Sequence, residues 1–292
     1  MQSAANTIQT GDDRPLWPGS MQSALALAFD LDGPTGDAML DGSLAGNLRY
    51  FTEGAYGPWR ALPRLLALLQ RYALRATFFV PTWVVEHWPE RCAAILEQGH
   101  ELAYHGHRHE VFIDCSREQQ LEIMQRSRSV FQQRLGVTPQ GFRTPSGDWS
   151  AETADLLYEF GVRYSSSMRG DDRPYFHPYR GTGTGLVEIP GRWDLDDYSA
   201  LAYFEEPDFP TGQDRISPFS TVTRNWCHEF EGFHRDGLCW TTILHPKVSA
   251  KPGRLGILEA LFQTIRQHDD VWIATGTEIA DWWVKQYAPA RS

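Results

Sequence analysis

Short apolar runs alternate along this chain with segments whose apolar positions recur every three or four residues. The runs at Ala24–Asp30, Arg75–Val80, His100–Tyr104, Gly141–Arg143, Arg163–Ser166, Leu186–Ile189, Cys239–Leu244 and Val271–Ala274 are rich in aromatic or β-branched side chains. That pattern predicts strands buried on both faces. Between them, Trp59–Tyr72 places Leu62, Leu65, Leu66 and Leu69 on one helical face. Pro89–Gln98 stops at Gly99, a C-cap glycine. Ser116-Arg117-Glu118-Gln119 reads as a capping box opening a helix that runs to Leu135 and stops at Gly136. Further helices are predicted from Ser150 to Gly161, over Leu255–His268, and from the Thr275–Glu278 cap through Trp283. Such alternation means βα units and a parallel sheet, and seven or eight units close most simply into a barrel. Two long segments interrupt the rhythm. Residues 34–58 are Gly-rich, with Tyr50, Phe51 and Tyr56; residues 195–236 carry a predicted helix with Trp226, Phe230 and Phe233 on one side. Both follow strand exits, where lids, substrate walls or subunit contacts are built. With residues 1–22 as an N-terminal arm, the whole of 1–292 reads as one domain.

In a parallel barrel all strand exits open onto one face, so residues far apart in sequence meet there. The exits here carry Asp30-Leu31-Asp32-Gly33, His105-Gly106-His107-Arg108-His109, Arg143-Thr144-Pro145, Trp193-Asp194 with Asp196 and Asp197, and His245-Pro246. Asp30 and Asp32 share a side of their strand by its period of two. Close carboxylates repel unless a cation or proton separates them, so one could ligate a metal while the other acts as base. The i, i+4 spacing of His105 and His109 would let one helical turn aim both rings at the same point, with His107 pointing outward or into the core. Asp32, His105 and His109 together would supply two nitrogens and one oxygen and leave a position open for water, as a catalytic divalent site requires. Arg143 could hold Asp30 ionised, and His245 could protonate a leaving nitrogen. Asp194, Asp196 and Asp197 could tune His245 or bind substrate. Plainer readings are turn capping for the aspartates, a solvated turn for the histidines, a salt bridge for Arg143 and a core histidine for His245.

Composition narrows the partners. The net charge of −10, with no Lys/Arg run, argues against nucleic acid and anionic membrane surfaces. Cys92, Cys115, Cys227 and Cys239 form no CxxC or zinc spacing and are expected to be reduced thiols. No apolar run approaches the ~18–20 residues that span a bilayer. The polar N-terminus lacks the basic and apolar regions of a signal peptide, so a cytoplasmic location is expected.

The order of these pieces resembles the polysaccharide deacetylase (NodB-homology, carbohydrate esterase family 4) family. That family's motifs are matched here by Phe29-Asp30-Leu31-Asp32-Gly33, with one residue inserted, by His105 to His109, by Arg143-Thr144-Pro145 and by Leu244-His245-Pro246. The likeness runs from about Leu25 to Trp283, nearly the whole chain. The Asp-x-Asp spacing, Ala76–Pro81, Val271–Gly276 and Pro252-Gly253-Arg254 resemble a branch that contains peptidoglycan-deacetylase-like proteins, cyclic imide hydrolases and allantoinase-like proteins. The resemblance implies a distorted (β/α)7-type barrel, often assembled as a dimer or tetramer. It also implies hydrolysis of a non-peptide carbon–nitrogen bond. Carried over by position, Asp30 is the base, Asp32, His105 and His109 hold a divalent metal (zinc first, with cobalt, manganese or nickel as alternatives), Arg143 orients the base and His245 is the acid. Metal-free allantoinase-like members lack the ligands that this chain keeps. The Tyr104-His105-Gly106-His107 segment departs from the commoner His-Gly-Tyr/Phe, which bears on the pocket rather than on the metal. A cytoplasmic setting favours a small cyclic imide or ureide-like substrate over a polysaccharide or peptidoglycan. A metal-free hydrolase and a non-catalytic ligand-binding barrel remain as other readings.

Overall fold

A computed structural model describes residues 16–38, 46–150, 152–177, 185–202 and 216–288. Most of the expected N-terminal arm, and residues 39–45 and 203–215 of the two expected insertions, lie outside the described residues. The strands are β1 (Ser23–Ala26), β2 (Ala28–Asp30), β3 (Thr77–Val80), β4 (Glu101–Tyr104), β5 (Gly141–Phe142), β6 (Tyr164–Ser165), β7 (Tyr175–Phe176), β8 (Val187–Glu188), β9 (Cys239–Thr241) and β10 (Val271–Ile273). One sheet runs β2-β3-β4-β5-β6-β8-β7, parallel except for β7, and the other runs β10-β1-β9, all parallel. β1 and β2 are two halves of one path. Single parallel bridges, Phe29 with Leu244 and Asp196 with Ile243, tie the sheets together and close a distorted (β/α)7-type barrel.

The first strand path shows how sequence sets the layers. Leu25, Leu27, Phe29 and Leu31 face outward into the large core shared with the helices. Ala24, Ala26 and Ala28 alternate with them and join the smaller inner core around Phe79 and Tyr164. Small side chains suit the inner positions because those two rings already fill the barrel. The same alternation then presents Asp30 and Asp32 at the open end.

The helices follow the predicted signals. Arg117–Leu135 begins at the Ser116/Gln119 capping box and ends at Gly136, whose φ of 69° only glycine adopts without strain. Gly276–Tyr287 begins at a second capping box, Thr275 with Glu278. Phe219–Arg235 buries Trp226, Phe230 and Phe233, as expected.

Residues 34–58 differ from the open, Gly-rich insertion that the sequence suggests. Pro34–Ala38 and Leu48–Tyr56 are helical, and Gly57–Ala61 forms a π-helical turn that runs directly into Leu62–Arg71. The helix therefore starts well before Trp59. Pro58 cannot donate to the ladder, and widening the turn absorbs that defect. Gly54 is a packing glycine: a Cβ there would sit 2.5 Å from the carbonyl oxygen of Gly33 and the Cα of Pro34. β7 and the helix Thr82–His87 were also not anticipated; both are too short to carry a period.

Candidate metal centre and active site

At the carboxyl ends of the strands a cavity of about 280 Å³ is lined by Asp30, Asp32, His105, His109, Arg143 and His245. All six are buried, with exposures between 1% and 8%. They come from four different strand exits, those of β2, β4, β5 and β9, so the fold alone brings them together.

Arg143 follows β5 and uses its whole guanidinium. Nη1 donates to Asp30 Oδ1 at 2.7 Å, Nε to the Ser166 carbonyl at 2.8 Å, and Nη2 to Ser166 Oγ at 2.8 Å and the Thr242 carbonyl at 3.2 Å. Its plane lies over the Phe79 ring at 4.2 Å. Asp30 is thereby fixed in one orientation, with Oδ2 directed at His105 Nε2 and His245 Nε2, each 3.9 Å away.

The His105–His109 segment is not the helical turn expected from its spacing. Gly106 and His109 both have left-handed backbones, with φ of 72° and 62°. The carbonyls of Gly106 and His107 accept from the Thr82 and Trp83 amides at 3.1 and 2.9 Å, the first donors of Thr82–His87. The Glu110 carboxylate accepts from the His107 and Arg108 amides at 2.8 and 2.9 Å. These bonds outweigh helix propensity and fold the segment into a tight turn that still aims both rings inward. His107 points into the core, 2.9 Å from Thr82 Oγ1.

Asp32 Oδ1 stands 3.4 Å from His105 Nε2 and 3.8 Å from His109 Nε2, and Oδ2 stands 3.8 Å from His245 Nε2. The Arg143 carbonyl, 2.8 Å from His105 Nδ1, can only accept, so Nδ1 carries a proton and donates it, and Nε2 is the nitrogen that faces Asp32. Burial first, and then the neighbouring His105, push the His109 imidazole down to about 4, against the pull of Asp32. Burial opposes ionisation of Asp32, but His109, His105 and His245 hold its carboxyl well below the usual range. Asp32 Oδ1 is buried with no hydrogen-bond partner. A buried carboxylate oxygen left unpaired is costly, and a divalent cation among Asp32, His105 and His109 satisfies all three. The residues fit such an ion.

His245 is held from the other side. Asp197 Oδ1 lies 2.7 Å from its Nδ1, and Asp197 Oδ2 accepts its backbone amide at 2.8 Å and the Ser249 hydroxyl. Burial works against protonation of His245, yet the Asp197 carboxylate overrides it and raises the ring to about 10. Of the three aspartates left open by the sequence, Asp197 therefore touches His245. Asp196 lines the cavity, its carboxyl raised to about 6 chiefly by burial, and caps the next helix through Tyr198. Asp194 pairs with Arg192 on the surface.

Of the aromatic residues at the strand exits and in the two long segments, Trp193 lines the cavity; Phe51 packs on Trp83 and Trp226 is buried, its indole donating to the Asp194 carbonyl at 3.2 Å. Sequence reasoning missed Arg169 and Tyr198, which line the cavity, and Glu110, which ties down the His105–His109 turn. Arg169 was findable: it follows Ser165-Ser166-Ser167-Met168 at a strand exit, the rule that flagged the other pieces.

The sequence profile of the polysaccharide deacetylase family matches residues 55–165. A peptidoglycan deacetylase of Helicobacter pylori is 30% identical over 259 residues, which cover 80% of this chain and 87% of that protein. A crystal structure from Mycobacterium smegmatis, provisionally described as a polysaccharide deacetylase, is 30% identical with a TM-score of 0.86 over 94% of this chain and 95% of that one. A crystal structure of PuuE allantoinase superposes with a TM-score of 0.82 over 99% of this chain and 100% of that one, at 20% identity, a likeness of fold alone.

Proposed function

This chain belongs to the polysaccharide deacetylase family and is a hydrolase of carbon–nitrogen bonds other than peptide bonds, and from that premise we propose that it removes the acetyl group from an N-acetylated amino sugar. The single observation that carries the reaction is the pairing of two differently held groups across one cavity. Asp30 is fixed by Arg143, and His245 is backed by Asp197. Asp30, oriented by the guanidinium, receives the proton of the attacking water. His245 Nε2, charged through Asp197, delivers a proton to the departing nitrogen. Asp32, His105 and His109 would hold a divalent ion, with zinc suited to two imidazoles and a carboxylate. Such an ion would polarise the carbonyl and acidify water.

Arg169 supports an oxygen-rich substrate. Its guanidinium lies over the exposed Trp193 ring at 3.6 Å, at the cavity wall, and its Nε is buried without a hydrogen-bond partner. A sugar hydroxyl or carboxylate would satisfy that donor while the ring stacks on Trp193. The substrate favoured by the sequence, a small cyclic imide, finds no support in the relative named above. It stays as a second reading on one observation: a cavity of about 280 Å³ suits one ring better than a polymer. The test is acetate release from N-acetylglucosamine oligomers and peptidoglycan fragments, run beside ring opening of succinimide and hydantoin. Acetate release from the sugars supports the proposal; turnover of the imides alone overturns it.

A further inference from the structure

A second group of possible metal ligands lies at the opposite end of the barrel. His234 sits at the end of the helix Phe219–Arg235, and His268 and Asp270 lie in the turn between the helix Leu255–Ile265 and β10. The two imidazole centroids are 4.2 Å apart, and one nitrogen from each ring and an Asp270 carboxylate oxygen lie within 4.8 Å of one another. His234 Nε2 is 3.3 Å from Asp270 Oδ1.

Each ring is also held from behind. Ser23 Oγ lies 2.9 Å from His234 Nδ1, and Glu231 Oε1 lies 3.1 Å from His268 Nε2. Outer partners of this kind fix which nitrogen faces a cation. The backbone is pinned as well: the Gln22 amide donates to the Asp270 carbonyl at 2.8 Å, and the Gln22 side chain donates to the His234 carbonyl at 3.3 Å. Paired imidazoles beside a half-exposed carboxylate are a donor set for late first-row divalent ions.

We infer that His234, His268 and Asp270 form a second divalent-metal site of the Zn²⁺ class, with Ser23 and Glu231 orienting the rings. Ser23 opens β1, whereas Asp30 closes β2, so this ion lies far from the reacting groups. Its role is to clip the end of Phe219–Arg235 to the turn before β10.

The test is Zn²⁺ titration of metal-stripped protein by calorimetry, with the melting temperature read in parallel. Wild type is expected to take up two equivalents, and His268→Gln and Asp270→Asn one each, with hydrolytic activity unchanged. Asp32→Asn is expected to keep one equivalent, and Zn²⁺ should raise its melting temperature unless His268→Gln is added. Uptake of only one equivalent by wild type, or uptake unchanged in both His268→Gln and Asp270→Asn, overturns the inference. Should Asp32→Asn fail to fold, the difference between wild type and the two distal variants decides alone. The uptake and melting readouts, which decide the inference, do not depend on the substrate assigned above.

Discussion

Two residues at the cavity divide binding from chemistry. Asp197 has no exposed surface, and its carboxylate accepts from the His245 amide and the Ser249 hydroxyl and lies against the His245 ring, so it acts through His245 as a positioning residue. Asp197→Asn keeps the shape and removes the charge that favours a protonated ring. It is expected to lower kcat by ~10²–10³-fold with KM within about twofold, the size of an impaired general acid. A matching rise in KM, read from saturation curves, would mean that Asp197 shapes the pocket instead. Arg169 predicts the reverse split. Its stacking on Trp193 and its buried, unpartnered Nε place it where substrate enters rather than where bonds break. Arg169→Met should raise KM by about ten- to a hundredfold, the loss of one charged hydrogen bond, and leave kcat nearly unchanged.

The elements explain what sequence alone could and could not reveal. The convergence of Asp30, Arg143 and His245 was legible because strand alternation and strand exits are geometric rules. The burial of Ala24, Ala26 and Ala28 inside, and of Leu25, Leu27 and Phe29 outside, follows from that period. The turn from His105 to His109 was not legible. Its shape depends on Glu110 and on the amides of Thr82 and Trp83, a contact between segments that no local spacing encodes. Gly106 is the test. At φ of 72° a Cβ would sit 2.7 Å from Glu110 Oε2, so Gly106→Ala must move the carboxylate that ties down the turn. Metal affinity should fall roughly tenfold or more, as when an orienting partner is lost, measured by Zn²⁺ competition with a chromophoric chelator. An unchanged affinity would show that the turn is held by other bonds. His100, before β4, carries a different signal. Burial, aided by Arg75, lowers its ring to about 4, and its Nδ1 accepts the Ala76 amide at 3.2 Å. The unfolded chain takes up this proton near 6.5 and the folded one only near 4. Stability is therefore complete above 6.5 and declines as pH falls toward 4, by about 3 kcal/mol at most. Urea unfolding of wild type and His100→Gln at pH 7 and 4.5 should show the smaller pH loss in the variant.

The molecule as a whole separates reactivity from stability along the barrel axis. Its open end gathers buried carboxylates, imidazoles and guanidinium, an arrangement tolerable only because each is paired or can hold a cation. Its other end is closed by a network around Glu101, the first residue of β4. Tyr164 donates to Glu101 Oε1 at 2.9 Å and Thr277 Oγ1 does so at 2.6 Å; Oε2 accepts Thr77 Oγ1 at 3.0 Å and the Thr277 amide at 3.1 Å. One carboxylate thus joins β3, β4, β6 and the helix Gly276–Tyr287. Gly141 and Gly276 are glycine because a Cβ at either would strike the Tyr164 ring, so the hydroxyl can reach Glu101 only between two bare backbones. Glu101→Ala strands the fully buried Tyr164 hydroxyl and frees the Thr277 amide at the start of that helix. The cost should be about 2–4 kcal/mol, two or more lost charge-assisted bonds. No member of this network lines the cavity, so kcat measured well below the melting temperature should match wild type. A loss of kcat at full folding, followed by circular dichroism and turnover on the same sample, would show that the two ends of the barrel are mechanically coupled.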